Sequence, residues 1–157
     1  GAGVFKSNDR GNSWTQINNG LDSLETNILT VDPNDSETLY LGTDDDGVYK
    51  STDGGESWKK LTVSSLSKSF GVGDIIVDPQ NSNNIYIGTV DYFRLSESRG
   101  VLGDFGVYKS TDGGATWEEF NVGLNHLGVF SLELSEENRI LYAGTRAGGV
   151  YWISLDN

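Results

Sequence analysis

The chain contains no cysteine, two prolines and one histidine among its 157 residues. Without cysteine it forms no disulfide and has no thiolate to act as a nucleophile or metal ligand, which leaves its compartment open. Basic residues are scarce as well: 11 Lys and Arg stand against 23 Asp and Glu, a net charge of −12. That balance argues against nucleic acid or an anionic lipid surface as the main partner. No apolar run approaches the ~20 residues of a membrane-crossing helix, so membrane insertion is not expected. The opening residues, GAGVFKS, read as a strand and not as a leader. No run keeps helical spacing, so helices are not expected either.

What the chain has is glycine, 21 residues, and 11% aromatics, a mixture that favours turns and strands. It also has a repeat. STDGGESW at 51–58 returns as STDGGATW at 110–117, and a worn copy, SNDRGNSW, stands at 7–14. With Trp14, Trp58 and Trp117 in register, the flanks align too: ILTVDPNDSETLYLGT with DIIVDPQNSNNIYIGT and, more loosely, VFSLELSEENRILYAGT. GVFKS, GVYKS, GVYKS and GVYWIS recur beside them. A period near 45 residues is the mark of a repeat architecture. Each unit reads as four short strands, A to D, rich in β-branched and aromatic residues and punctuated by Pro, Asn, Asp and Gly. Four-stranded antiparallel units in series are the blades of a β-propeller. The expected division is a partial blade over 1–20, complete blades over 28–62 and 74–122, and a partial blade over 129–157.

The octets follow the pattern Ser-x-Asp-x-Gly-x-x-Trp and resemble the Asp-box, or BNR repeat, of sialidases, xyloglucanase-type glycoside hydrolases, sortilin-type receptors and photosystem assembly factors. The resemblance covers nearly the whole chain and implies an all-β propeller. It implies no one activity, because families that share the box do unrelated things. The box positions are Ser7, Asp9, Gly11 and Trp14, then Ser51, Asp53, Gly55 and Trp58, then Ser110, Asp112, Gly114 and Trp117. Each octet joins strand C to strand D, so it is read as a turn. Its aspartate accepts backbone N–H groups, its glycines permit positive φ, and its tryptophan packs between blades.

In an up-and-down blade the C–D and A–B turns share one face, and the D–A and B–C loops share the other. Propellers of these families bind on that second face, so recognition is expected there. The B–C loop expands in the middle unit to VDYFRLSESRGVLGDF, about 13 residues longer than DDD at 44–46 or RAG at 146–148. It holds Asp91, Tyr92, Phe93, Arg94 and Arg99, an aromatic–basic mixture suited to sugar rings, peptide side chains or carboxylates. The bland alternative is a cover over a blade edge. Phe70 is expected at the tip of the longest D–A loop, and His126 and Arg146 lie on the same face. Asp74 is read as aligned with Ile28 and Phe130, apolar residues at the start of strand A. A carboxylate there serves as general acid or base if a second lies across a cleft; otherwise it binds backbone N–H groups. The three aspartates at 44–46 are consecutive and do not alternate as calcium ligands do. No metal or cofactor is expected.

Sialidases need an arginine cluster, and two of the five arginines here, Arg10 and Arg139, fall in turns of the opposite face. Xyloglucanase-type enzymes place two aspartates between two whole propellers, and rings need about four to eight blades. The remaining blades are expected from a longer chain or from homo-oligomerisation. The reading is a binding or interaction module for a carbohydrate or protein partner, extracellular or in the cell envelope. The competing reading is a fragment or subunit of a sialidase-like or xyloglucanase-type glycoside hydrolase.

Overall fold

Alternating Val, Ile, Leu and Tyr between Asp- and Gly-rich turns form strands throughout the computed structural model, which describes residues 1–66, 70–91 and 104–156. Among the described residues there are four antiparallel sheets and no helix. The first sheet is a two-stranded ribbon, β1 (Phe5–Lys6) and β2 (Thr15–Gln16). The second runs β3 (Thr26–Asp32), β4 (Asp35–Thr43), β5 (Val48–Ser51) and β6 (Lys59–Lys60). The third repeats it as β7 (Gly71–Val77), β8 (Ile85–Val90), β9 (Val107–Ser110) and β10 (Glu118–Glu119). The last has β11 (Val129–Ser135), β12 (Ile140–Thr145) and β13 (Gly149–Ser154). Every sheet keeps sequence order from strand to strand, the up-and-down pattern of propeller blades.

The core lies between sheets. β8 is buried at all six positions, because one of its faces meets the sheet before and the other the sheet after. One cluster joins Tyr40 and Val48 of the second sheet to Ile75, Ile85 and Ile87 of the third; another joins Tyr86 and Val107 to Leu132 and Leu141 of the last. Each such side chain, fully buried, contributes about 1.5–3 kcal/mol. Polar links run the same way. Asp78, which caps its own turn by accepting Gln80 N–H, also takes a two-pronged bond from Arg139 at 3.0 and 2.6 Å. Its counterpart Asp32 accepts Ser82 Oγ–H at 2.6 Å.

The octets are turns with one bonding scheme. Ser51 Oγ donates to Asp53 Oδ1 and accepts from Gly55 N, and Asp53 accepts both the N–H and the hydroxyl of Ser57. Ser7 with Asp9 and Ser110 with Asp112 repeat it, Thr116 standing for the second serine. Gly55 has φ +91°, and a Cβ there would lie 2.7 Å from Ile17 Cδ1 of the preceding unit. The position needs glycine twice over, for conformation and for room.

Strand D is shorter than the sequence implies. Only two residues after each tryptophan join the ladder, Thr15–Gln16, Lys59–Lys60 and Glu118–Glu119. Trp58 and Trp117 are buried, but Trp14 is 63% exposed. The expectation that all three rings pack between blades fails for Trp14, whose ribbon has no strands A and B to pack on among the described residues.

The contrast between the rings is open to measurement. Trp58→Ala should cost about 3–5 kcal/mol in urea unfolding, as large buried-to-small changes do, while Trp14→Ala leaves the midpoint nearly unchanged. So is the bonding within the octets. The carboxyls of Asp9, Asp53 and Asp112 are held down from 3.8 to about 2, chiefly by the Ser13, Ser57 and Thr116 hydroxyls respectively, then by the other bonds within each turn. A depressed carboxyl stabilises the fold above its unfolded pKa and loses that effect as pH falls through the folded value. Melting temperature should therefore drop between pH about 4 and 2, and Asp53→Asn should blunt the drop.

Candidate functional site

The face opposite the box turns carries the D–A and B–C loops, and its geometry starts at the bulges of β3, β7 and β11. Each ladder skips a residue near its start, between Thr26 and Ile28, Val72 and Asp74, and Val129 and Ser131. Asp74 then pairs with Gly88, as Ser131 pairs with Gly144 and Ile28 with Gly42. The counterpart of Asp74 is therefore Ser131, not Phe130, which takes the place of Gly73 and Asn27 because the turn joining β11 to β12 is one residue shorter than its counterparts. A gap-free alignment of the strands hides that shift.

Asp74 Oδ1 accepts the N–H of Ile75 and Oδ2 the N–H of Leu132, both at 2.8 Å. The second bond crosses from β7 to β11, so the carboxylate staples two neighbouring sheets. Burial pushes its carboxyl up, against the downward pull of the Leu132 and Ile75 N–H groups, and nearby Glu133 adds to the rise. A general acid needs a proton free to give; here both oxygens serve as acceptors for the backbone.

Phe70 is not at an exposed loop tip. It is 6% exposed, sits in the core between the second and third sheets, and its ring fills the space beside Gly47. Its carbonyl accepts Gly47 N–H at 2.9 Å, which pulls the loop end inward. Asp91, expected to face a ligand, is 1% exposed. Its N–H donates to Asp104 Oδ1 at 2.7 Å, clamping the two ends of the long B–C loop, and its carbonyl accepts a guanidinium N–H of Arg146. Tyr92, Phe93, Arg94 and Arg99 lie outside the described residues.

Arg146 is exposed and stacks its guanidinium 5.2 Å from the centre of the Phe130 ring. Phe130, itself 41% exposed, is a candidate that sequence reasoning passes over. The signal is present, an aromatic where the other units have glycine and asparagine, but only the pairing register reveals it. His126 is exposed, with its ring against the Gly148 backbone. The structure thus brings Asp91, Asp104, Arg146 and Phe130 together at the base of the long loop. It offers a flat aromatic–guanidinium surface, suited to the face of a sugar ring or to a planar group. Of the acidic turn at 44–46, Asp45 accepts Ser23 Oγ–H, and Asp46 binds both Tyr49 OH and Lys60. Among the described residues no three His, Asp or Glu side chains are grouped to hold a metal.

A sequence model for sortilin and neurotensin receptor 3, Sortilin-Vps10, matches residues 2–152. The chain belongs to the Sortilin-Vps10 family. It is also 31% identical over 123 residues to a probable oligoxyloglucan-reducing end-specific xyloglucanase of Neosartorya fischeri, covering 73% of this chain and 14% of that protein. A xyloglucanase of Acetivibrio thermocellus is 36% identical over 96 residues, covering 55% and 11%. Among solved structures, an ancestral GH74 enzyme superposes with a TM-score of 0.75 at 24% identity, over 96% of this chain and 20% of that one. The Niastella koreensis GH74 enzyme gives 0.67 at 26%, over 96% and 24%. This member of the Sortilin-Vps10 family therefore has the propeller fold of those enzymes, and spans 11–14% of the length of the two xyloglucanases.

Removing the Asp74 staple tests its role. Asp74→Ala leaves the Leu132 N–H without its acceptor and should cost about 1–3 kcal/mol in urea unfolding. Because the carboxyl is raised in the fold, its stabilisation is fully present below the unfolded pKa and declines as pH rises through the folded one. The gap between wild type and variant should narrow accordingly.

Proposed function

We propose that this chain is a propeller segment of a xyloglucanase-type glycoside hydrolase, contributing a carbohydrate-facing surface and not the reacting carboxylates. The kinship with xyloglucanases over 123 and 96 residues carries the reading. Two features of the site support the division of labour. Asp74, the carboxylate placed on strand A, spends both oxygens on backbone N–H groups. Phe130 and Arg146 leave an exposed stacking surface beside the long B–C loop. Stacking on an aromatic face binds a sugar ring through its C–H groups and excludes water without requiring charge. A polysaccharide as ligand places the protein outside the cytoplasm, which the absence of cysteine permits.

A second reading, a binding module for a protein partner, is favoured by the family match over residues 2–152. The two separate in one experiment. Xyloglucan oligosaccharides should retard the purified chain in affinity electrophoresis, with no release of reducing ends, and Phe130→Ala should weaken retardation roughly tenfold while leaving the melting temperature unchanged. Absence of any retardation would reject the carbohydrate reading, and hydrolysis surviving in Asp74→Ala would reject the assignment of the reacting groups to other segments.

A further inference from the structure

Glycine after asparagine or aspartate opens a chain to attack by its own backbone. The glycine nitrogen has no side chain beside it to hinder closure onto the preceding Cγ, which forms a five-membered succinimide. Four such pairs occur here: Asn19–Gly20, Asp46–Gly47, Asp53–Gly54 and Asp112–Gly113. All four glycines have positive φ, between 66° and 90°, so backbone class does not separate them. Exposure does not either, since Asn19, Asp53 and Asp112 are all exposed.

Hydrogen bonding separates them. Gly47 N–H donates to the carbonyl of Phe70 at 2.9 Å, Gly54 N–H to that of Glu37 at 2.9 Å and Gly113 N–H to that of Asn83 at 3.0 Å. Each bond commits the attacking nitrogen to another segment. The carboxylates are committed as well: Asp46 accepts from Tyr49 and Lys60, Asp53 from Ser51 and Ser57, and Asp112 from Ser110 and Thr116. The box hydroxyls keep Asp53 and Asp112 ionised, and an ionised carboxylate resists attack by nitrogen. Asn19 stands apart. It and Gly20 are the central residues of a type II turn that Leu21 N–H closes on the Asn18 carbonyl at 3.1 Å. Among the described residues neither the Asn19 side chain nor Gly20 N–H makes a hydrogen bond. The Asn18 amide next to it, by contrast, accepts Val4 N–H at 2.7 Å. The main chain of the turn is nevertheless tight. The Asn19 carbonyl accepts Trp58 N–H at 2.8 Å, and a Cβ on Gly20 would lie 2.1 Å from the Trp58 carbonyl oxygen.

We propose that Asn19–Gly20 is a self-modification site, at which the folded chain deamidates while its three Asp–Gly bonds stay intact. The Gly20 nitrogen bonds to Asn19 Cγ, and its proton leaves with the side-chain nitrogen as ammonia. Water then opens the ring. Cleavage of the bond to Cγ leaves aspartate; cleavage of the bond to the former main-chain carbonyl leaves isoaspartate, whose main chain runs through Cβ and Cγ. Either product adds one negative charge. The second also turns the carbonyl that Trp58 N–H uses into a pendant carboxylate, and lengthens the main chain where it is pressed on Trp58. Modification therefore loosens the joint between the ribbon and the second sheet that the Trp58 ring fills.

The test is a peptide map of the intact chain aged at neutral pH, folded or in guanidinium chloride, read by mass spectrometry and by isoaspartyl methyltransferase labelling. The denatured chain sets the reference rate for each pair. In the folded chain the Asn19 peptide should gain the mass of deamidation within about threefold of that rate, while Asp46, Asp53 and Asp112 isomerise at least about tenfold more slowly than when denatured. Aged chain should melt about 2–4 °C below fresh chain, as expected for one lost hydrogen bond. Asn19→Gln, whose longer side chain closes to a six-membered ring far more slowly, should keep both its mass and its melting temperature. Protection of Asn19 as strong as that of Asp53 overturns the proposal. Isomerisation of Asp53 or Asp112 at the denatured rate also overturns it, as does a mass gain that Asn19→Gln retains.

Discussion

Trp58 lays its indole on Val4 and Leu21 of the preceding unit and gives its Nε1 proton to the carbonyl of Ile17. That contact crosses from one sheet to the next, and the rest of the architecture depends on contacts of the same kind. A four-stranded sheet of this size has two faces and too few residues to cover either alone. Burial is therefore decided by position in the series. Ile75 and Leu132, whose sheets each follow a four-stranded one, are 1% and 4% exposed, whereas Leu29, at the corresponding place in the sheet that follows the ribbon, is 48% exposed. The same kind of residue in the same local structure is core in one unit and surface in another.

Polar groups follow the apolar ones across these boundaries. The aspartates of the two Asp-Pro turns, Asp32 and Asp78, cap their own turn and hold the next one through Ser82 or Arg139. Asp78 is fully buried and burial alone would raise its carboxyl, yet the Arg139 guanidinium, the Gln80 N–H and Asn84 bring it below the ordinary carboxylate value. Asp74 stitches β7 to β11 in the same manner. Asp74 and Asp78 are thus engaged in joining units.

This economy bears on the kinship with xyloglucanases. A repeat whose carboxylates are committed to its own joints leaves its loops free to vary, because they lie beyond the last ladder bonds. The long B–C loop is anchored at its ends, where Asp91 N–H meets Asp104 and Arg146 meets the Asp91 carbonyl. The Phe130–Arg146 pair sits at that anchor and is the part of the face whose geometry the sheets impose.

The sequence by itself determined the all-β class, the repeat, the four-strand order of a unit and the role of the octets, because each of these is written in local spacing. Ser, Asp and Gly at fixed offsets specify a turn through bonds that span no more than four residues. The tertiary structure alone decided which residues are buried and which stay exposed on the loop face. Phe70 looked like a loop tip and is core, because the third sheet folds over it; Trp14 looked like core and is exposed, because among the described residues no strands stand behind its ribbon. The register that makes Ser131 the counterpart of Asp74, and sets Phe130 at the place of Gly73 and Asn27, is fixed by pairing with a second strand. Period and composition describe one strand at a time, whereas burial, register and the partner of a carboxylate are properties of two surfaces that meet only in the folded chain.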